Sequence, residues 1–520
     1  MEPIDRARPR PPSWPDARGG AAALAAAVLV AAAIRLALAD YSLWFDELAS
    51  VFFASQPLHR LWGAWMLRET NPPLFYTLLR WWIDAAGLSD AGLRVPGIVA
   101  SLAAMAVIYV AVARRFGRRA AIAAALILAL SPQQLYFSHQ VRAYIVLYLA
   151  IAVSFAGLLQ VACATAPRAR AWGWAVYVAG AVAGIYCHTT GVIWPATATL
   201  ALMLVDPRFR PLRGEHWVAL LLAGVAIALA ASWWLWMTFL QLTNPNGNLG
   251  WIKGLGLTKS VLIYVATLLQ SRQVSLLQLP APLLVAGFAA LGAWRGRGDR
   301  ATRLTLACLL VGTALFLLLN LKQPIFLDRT ILWLSLFPLV LAASGVGGLR
   351  GRGYAAALIA LALALGVSVA LTRPHLARED WRAVVTRTAA DPRAALLVDG
   401  EAMAIATQMA CRVELARAAC PFAVVPLVAP GPQLDGWGRG LAASVGARGE
   451  RLALATDARA YLLRRPFHDV LRDVQRAGLL RDARAVEPEA PVVAGPYPPA
   501  LIDALARRTR VVDGVVQVAR

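Results

Sequence analysis

Residues 21–47 read AAALAAAVLVAAAIRLALADYSLWFDE, an apolar run that ends a few residues before a carboxylate pair, Asp46 and Glu47. The run from Ala21 to Ala39 is long enough to span a bilayer, and Arg6, Arg8, Arg10 and Arg18 ahead of it predict a cytoplasmic N-terminus. It is too long for a cleavable signal peptide and lacks a small-residue cleavage site before Asp40, so it is expected to remain as the first span. The carboxylate pair is then expected at the outer membrane face. Two carboxylates beside hydrocarbon are costly unless paired, hydrated or at work, which makes the pair a candidate site. The plain alternative is a solvated pair of loop acids.

Composition sets the class. Hydrophobic residues make up 59% of the 520, mean hydropathy is +0.59, and there are 18 tryptophans, which together mark a polytopic helical membrane protein and exclude a soluble enzyme. The formal net charge of +22 does not call for nucleic acid as a partner. The basic residues fall in short clusters between apolar runs: Arg114, Arg115, Arg118 and Arg119; Arg168 and Arg170; Arg208, Arg210 and Arg213; Arg295, Arg297, Arg300 and Arg303; Arg350 and Arg352. Two apolar runs separate each cluster from the next, as the positive-inside rule requires of a chain crossing back and forth.

About eleven spans are expected, near residues 21–39, 92–113, 120–137, 143–164, 172–186, 189–205, 217–240, 276–294, 304–321, 325–348 and 353–372. An odd number places the termini on opposite sides, with residues 1–20 cytoplasmic, 21–372 in the membrane domain and 373–520 periplasmic. The first outer loop, residues 40–91, contains Leu74 to Trp82, aromatic but too short to cross, which reads as an interfacial helix. The second, residues 241–275, contains the turn-rich Asn244-Pro245-Asn246-Gly247-Asn248.

After Thr372 the composition turns Arg-rich and Asp-bearing. Ala394 to Val398, Leu452 to Ala455 and Val511-Val512 read as short strands, and a helical stretch runs to about Ala410, so a small C-terminal α/β domain is expected. Cys163, Cys187 and Cys308 lie in or beside spans and read as buried apolar residues. Cys411 and Cys420 lie in the external domain, where an oxidising compartment permits a bridge that spacing alone does not establish. No CxxC or HExxH spacing points to zinc.

The remaining polar residues of the outer segments converge on one face by this topology. They are Arg68, Glu69, Asn71 and Tyr76 of the first loop, His139, Gln140, Arg142 and Tyr144 after the third span, His188 near the fifth, and Lys322, Asp328 and Arg329 between the ninth and tenth.

In this order the landmarks Phe45-Asp46-Glu47, Asn71-Pro72-Pro73-Leu74-Phe75-Tyr76, Leu93-Arg94-Val95-Pro96, Ser131-Pro132, Ser138 to Tyr144, His188, Asp328-Arg329 and Glu379-Asp380-Trp381-Arg382 resemble a known family. It is that of the integral-membrane glycosyltransferases of GT-C class that use a polyprenyl-phosphate-linked sugar, the superfamily of the protein O-mannosyltransferases and the bacterial aminoarabinose transferases of lipid A. The resemblance implies a GT-C-like fold, a polyprenyl-phosphate sugar as donor, and a cell-envelope acceptor, whether glycolipid, lipopolysaccharide, other polysaccharide or protein, at the outer face of a bacterial inner membrane. No cofactor is implied as required. The chain has Asn71 where the family commonly has histidine and Gln140 where it commonly has glutamate, which weakens the support for a divalent metal.

Transfer from a polyprenyl phosphate needs one base for the acceptor hydroxyl and positive charge for the departing phosphate, but no strong general acid. Asp46 is the expected base, with a structural salt bridge as its alternative, and Glu47 is expected to orient a substrate group or a nearby cation. Arg142, Lys322 and Arg329 are the expected phosphate ligands, the alternative for the arginines being interfacial snorkelling. Arg68, Glu69, Asn71, Tyr76, His139, Gln140, Tyr144 and His188 are expected around the substrate, although a span-end histidine is as often a packing residue. A transporter or lipid flippase is the contrasting class. It would carry mid-bilayer charges and internal repeats, whereas Arg35 is the one charge well inside an expected span. A non-catalytic envelope scaffold is a third reading, and it predicts no effect of alanine at Asp46.

Overall fold

The computed structural model describes residues 14–243, 257–272, 275–322, 325–390, 394–398, 401–426, 459–463, 509–512 and 515–518. The chain enters through α1 (Trp14–Ala37) and then folds its first outer segment into α2 (Phe45–Ala54), α3 (Leu58–Leu61), a 3-10 turn (Ala64–Arg68) and α4 (Pro73–Ala86). The expected interfacial helix is therefore α4. Next come α5 (Asp90–Phe116), α6 (Arg118–Leu130), α7 (Pro132–His139), α8 (Tyr144–Cys163), α9 (Pro167–Cys187) and α10 (Ile193–Val205). The second half contributes α11 (Trp217–Ala230), α12 (Ser232–Thr243), α13 (Leu257–Leu268), α14 (Pro280–Arg295), α15 (Arg300–Asn320), α16 (Leu336–Gly347) and α17 (Gly351–Thr372).

Six helical segments among the described residues are long and apolar enough to cross a membrane, and two bent pairs bring the number to eight. The expected count of about eleven is larger. Three expected spans, 172–186, 189–205 and 325–348, fall on α9, on α10 with its preceding 3-10 turn, and on α16, none of which meets that criterion alone. For α16 the reason is placement. It is buried along almost its whole length by protein, so it has no lipid thickness to match. Residues 325–331 ahead of it are turn, not helix. Nor is 241–275 simply a loop, because it holds the end of α12 and all of α13, while residues 244–248 lie outside the described residues.

The first bent pair, α6 and α7, turns by 56° at Ser131-Pro132. Proline has no N–H for the carbonyl four residues back, that of Leu128. Arg35 takes it instead, donating to the Leu128 and Ala129 carbonyls at 3.0 and 3.2 Å. The same logic holds at Pro96 inside α5, where the orphaned Gly92 carbonyl accepts from Trp82 Nε1 of α4 at 2.8 Å. Helices α8 and α9 approach so closely that a Cβ on Gly157 or Gly180 would lie 2.5–2.7 Å from backbone of the other helix, a small-residue crossing of the kind common in membranes.

One end of the bundle is fastened by arginine. Arg208 and Arg300 both donate to the Ala162 carbonyl at 3.0 Å, Arg170 to Ala164 at 3.0 Å and Arg119 to Leu349 at 3.4 Å, while Asp206 pairs with Arg208 (2.7 Å) and Arg300 (3.5 Å). Members of three of the arginine clusters, Arg170, Arg208 and Arg300, thus meet at the end of α8.

After α17 the chain forms α18 (Trp381–Ala389), strand β1 (Ala394–Val398), α19 (Glu401–Glu414) and β2 (Ala423–Pro426), with β3 at Arg459–Leu463. These strands make a parallel sheet in the order β2-β1-β3, and β4 (Thr509–Val512) pairs antiparallel with β5 (Val515–Val518). The expected strand at 452–455 lies outside the described residues. Cys411 and Cys420 are disulfide-bonded, with Cα atoms 5.3 Å apart, and the other three cysteines are free. The chain is a multi-pass helical membrane protein carrying a small α/β unit.

Candidate functional site

The site grows from the first turn of α2. Asp46 projects from that turn with its side chain 22% exposed, and its Oδ2 lies 3.5 Å from Arg329 Nη1 in the turn before α16. Arg142, between α7 and α8, donates to the Asp46 main-chain carbonyl (3.2 Å) and to Ser50 Oγ one turn on (3.3 Å). Glu69 Oε1 accepts from Asn71 N (3.0 Å) and Nδ2 (2.5 Å), and Tyr76 hydrogen-bonds the same carboxyl. Burial pushes Glu69 above the ordinary carboxylate range, partly offset by Arg142 and by these hydrogen bonds. Thr189 donates to the Thr70 carbonyl and ties this strip to the His188 corner. There His188 packs on Tyr144 (ring centroids 5.4 Å) and its Nδ1 accepts from Thr190 N (3.1 Å). Burial, then Arg142 and Arg329, keep His188 neutral by lowering its pKa.

Eight of the expected residues are therefore brought together: Asp46, Glu69, Asn71, Tyr76, Arg142, Tyr144, His188 and Arg329. Arg142 is the hub, within electrostatic reach of Asp46, Glu69, Tyr76 and Tyr144.

Other expected residues sit elsewhere. Glu47 points away from Asp46 and is buried. It pairs with Arg94 Nη2 at 3.4 Å and accepts from Val141 N (2.9 Å) and Trp44 N (3.2 Å), so it ties α2 to α5 and to the turn after α7. His139 is fully buried, with Nε2 2.9 Å from the Arg35 carbonyl. Gln140 is buried beside it, and its carbonyl accepts from Arg142 N at 2.7 Å. Lys322 is exposed just past α15, and no described contact joins it to the cluster. Arg68 ends its 3-10 turn, and its side chain lies outside the described residues.

Two arginines absent from the sequence reading complete the positive wall. Arg272 pairs with Asp328 Oδ2 (3.3 Å) and stacks 3.3 Å over the Tyr136 ring; Arg378 stacks 4.3 Å over Trp44 and 5.5 Å over Tyr136, within electrostatic reach of Asp46. Arg272 falls in the expected second outer loop, residues 241–275, and Arg378 immediately precedes the Glu379 landmark. A carboxylate with an open edge, walled by planar guanidinium groups, can hold a phosphate next to a proton acceptor. Among the described residues no three His, Cys, Asp or Glu side chains gather as a metal ion would need.

Residues 70–236 match the family model described as dolichyl-phosphate-mannose-protein mannosyltransferase. No curated protein matches the chain. Among solved structures, ArnT from Cupriavidus metallidurans in the apo state is similar with a TM-score of 0.61 at 15% identity, covering 88% of this chain and 95% of that one. The structure of ArnT bound to undecaprenyl phosphate is similar with a TM-score of 0.60 at 14% identity and the same coverage. The family match covers one segment of the chain, and over most of its length this multi-pass membrane protein shares the fold of the ArnT structures.

Proposed function

We propose that the chain is an inverting glycosyltransferase that moves a sugar from a polyprenyl phosphate to a cell-envelope acceptor hydroxyl, with Asp46 as the base. The observation that carries this reading is the part-exposed Asp46 carboxylate, 3.5 Å from Arg329 and backed by Arg142, at the edge of a wall of arginines. Asp46 takes the acceptor proton as the acceptor oxygen attacks the anomeric carbon from the face opposite the phosphate. The bond from that carbon to the phosphate oxygen breaks, and its electron pair leaves with the polyprenyl phosphate. Arg329, Arg142, Arg272 and Arg378 stabilise the negative charge that grows on the departing phosphate. Glu69, Asn71, Tyr76, Tyr144 and His188, gathered around Arg142 next to Asp46, bind the sugar or the acceptor.

The undecaprenyl phosphate held by the similar ArnT structure supports a long polyprenyl donor. In this reading the Asp46 face is periplasmic, the arginine-fastened end is cytoplasmic, and the membrane is a bacterial inner membrane. The test is transfer by the purified protein from a polyprenyl-phosphate sugar of defined anomeric configuration. The product should carry the opposite configuration, and retention would contradict the single displacement.

A further inference from the structure

Helix α2 carries Asp46, yet both of its ends are held by the segment that follows the last span. At the N-terminus Phe45 N–H donates to Glu379 Oε2 at 2.8 Å, across 334 residues of chain. The same oxygen accepts from the buried Trp381 Nε1 at 2.6 Å, which fixes the carboxylate in place. At the other end Arg412 of α19 donates to Ser55 Oγ, at the C-cap of α2, at 3.2 Å. An acid at the N-terminus and a base at the C-terminus complement a helix dipole: Glu379 adds from outside to the helix's own first-turn acids, Asp46 and Glu47, and Arg412 supplies a base at an end that has none of its own. The bracket is anchored in turn. Arg382 N donates to Ser42 Oγ (3.0 Å), and its guanidinium bridges Asp40 (2.7 Å), Asp90 (2.5 Å) and Glu414 (3.0 Å).

Asp46 itself meets Arg329 at 3.5 Å, so a small slide or tilt of α2 changes the distance between the carboxylate and the arginine wall. We infer that Glu379 is a positioning residue for Asp46: by capping α2 from outside the membrane bundle it sets the height of the carboxylate, making the external segment part of the active site. This rests on Asp46 being the reacting group.

The experiment compares Glu379→Ala, Glu379→Asp and Glu379→Gln with wild type in steady-state transfer from a polyprenyl-phosphate sugar, with Tm measured on the same preparations. Glu379→Ala should lower kcat by about 10²-fold, the effect of a roughly 1 Å misplacement, with the donor KM within about threefold of wild type. Glu379→Gln keeps an acceptor oxygen for Phe45 and should recover part of the loss. Should Glu379→Ala fail to fold, Glu379→Asp, which draws the carboxylate back by one methylene, should show the same split between kcat and KM. A wild-type kcat in a folded Glu379→Ala or Glu379→Asp protein overturns the inference, as does a loss that appears equally in donor KM. Asp46→Asn, assayed alongside, separates the two readings. If Asp46→Asn turns over normally, the base assignment falls first; if it is inactive while Glu379→Ala is fully active, only the positioning role falls.

Discussion

At the end of the bundle away from Asp46, arginines finish helices: Arg208, Arg300 and Arg170 close the C-terminus of α8 by donating to the carbonyls of Ala162 and Ala164. At the Asp46 end Arg329 and Arg272 instead face carboxylates, and Arg272 and Arg378 lie over aromatic rings. The first set satisfies orphaned backbone groups and fixes the fold. The second gathers planar guanidinium groups around a part-exposed carboxylate, an arrangement that stability alone does not ask for. The same contrast recurs between two neighbours in α2. Glu47 is sealed against Arg94, while Asp46 keeps a fifth of its side chain open.

The largest expected effect breaks the sealed side. Glu47→Ala leaves Arg94 buried without its counter-ion and should cost about 3–5 kcal/mol of stability, read as a sharp fall in Tm in detergent. A Tm equal to wild type would show that Glu47 does not hold α2.

On the open side, Arg329→Lys keeps the charge but loses the fork. Donor use should weaken by about tenfold or more, the worth of one charge-assisted hydrogen bond, with the fold intact. Arg297→Ala, in the chain between α14 and α15, is the control and should change transfer less than twofold. Equal donor affinity for Arg329→Lys and wild type would remove Arg329 from the phosphate site.

The smallest effect concerns the joint between membrane and external segments. Glu414 faces Asp90 and shares Arg382 with Asp90 and Asp40; burial and then Asp90 push its carboxyl up to about 8. A carboxyl raised in the folded state stabilises while it holds its proton, so this contribution is complete below the ordinary carboxylate range and is lost as pH rises through about 8. Tm should therefore fall more steeply between the ordinary carboxylate range and about pH 8 in wild type than in Glu414→Gln, with the two running parallel above it. Parallel slopes in the lower range as well would show that the joint does not titrate.

Much of this was legible in the chain because bilayer thickness and charge asymmetry act on contiguous runs. Most of the expected spans fall on helices, and members of three of the Arg clusters between them meet at the end of α8. Asp46, Arg142 and Arg329 were legible as chemistry-bearing types at the ends of such runs. What stayed hidden were choices made by distant partners. Adjacent in sequence, Asp46 and Glu47 differ only in which side of α2 meets Arg94, and that is set by packing against α5. Arg35 looked like a lone charge in a span, but it replaces the hydrogen bond that Pro132 removes. Arg272 and Arg378 were missed because α13 and the segment after α17 carry them back to Tyr136, a return that no local periodicity announces.

The most direct measurement is transfer by purified Asp46→Asn, with donor binding measured on the same preparation. The substitution is nearly isosteric and keeps one acceptor oxygen, so folding and donor binding should persist while turnover falls by about 10²- to 10⁴-fold, the range for a positioned general base. Turnover near the wild-type rate would contradict the assignment of Asp46 as the base, and loss of folding together with turnover would make it a structural partner of Arg329.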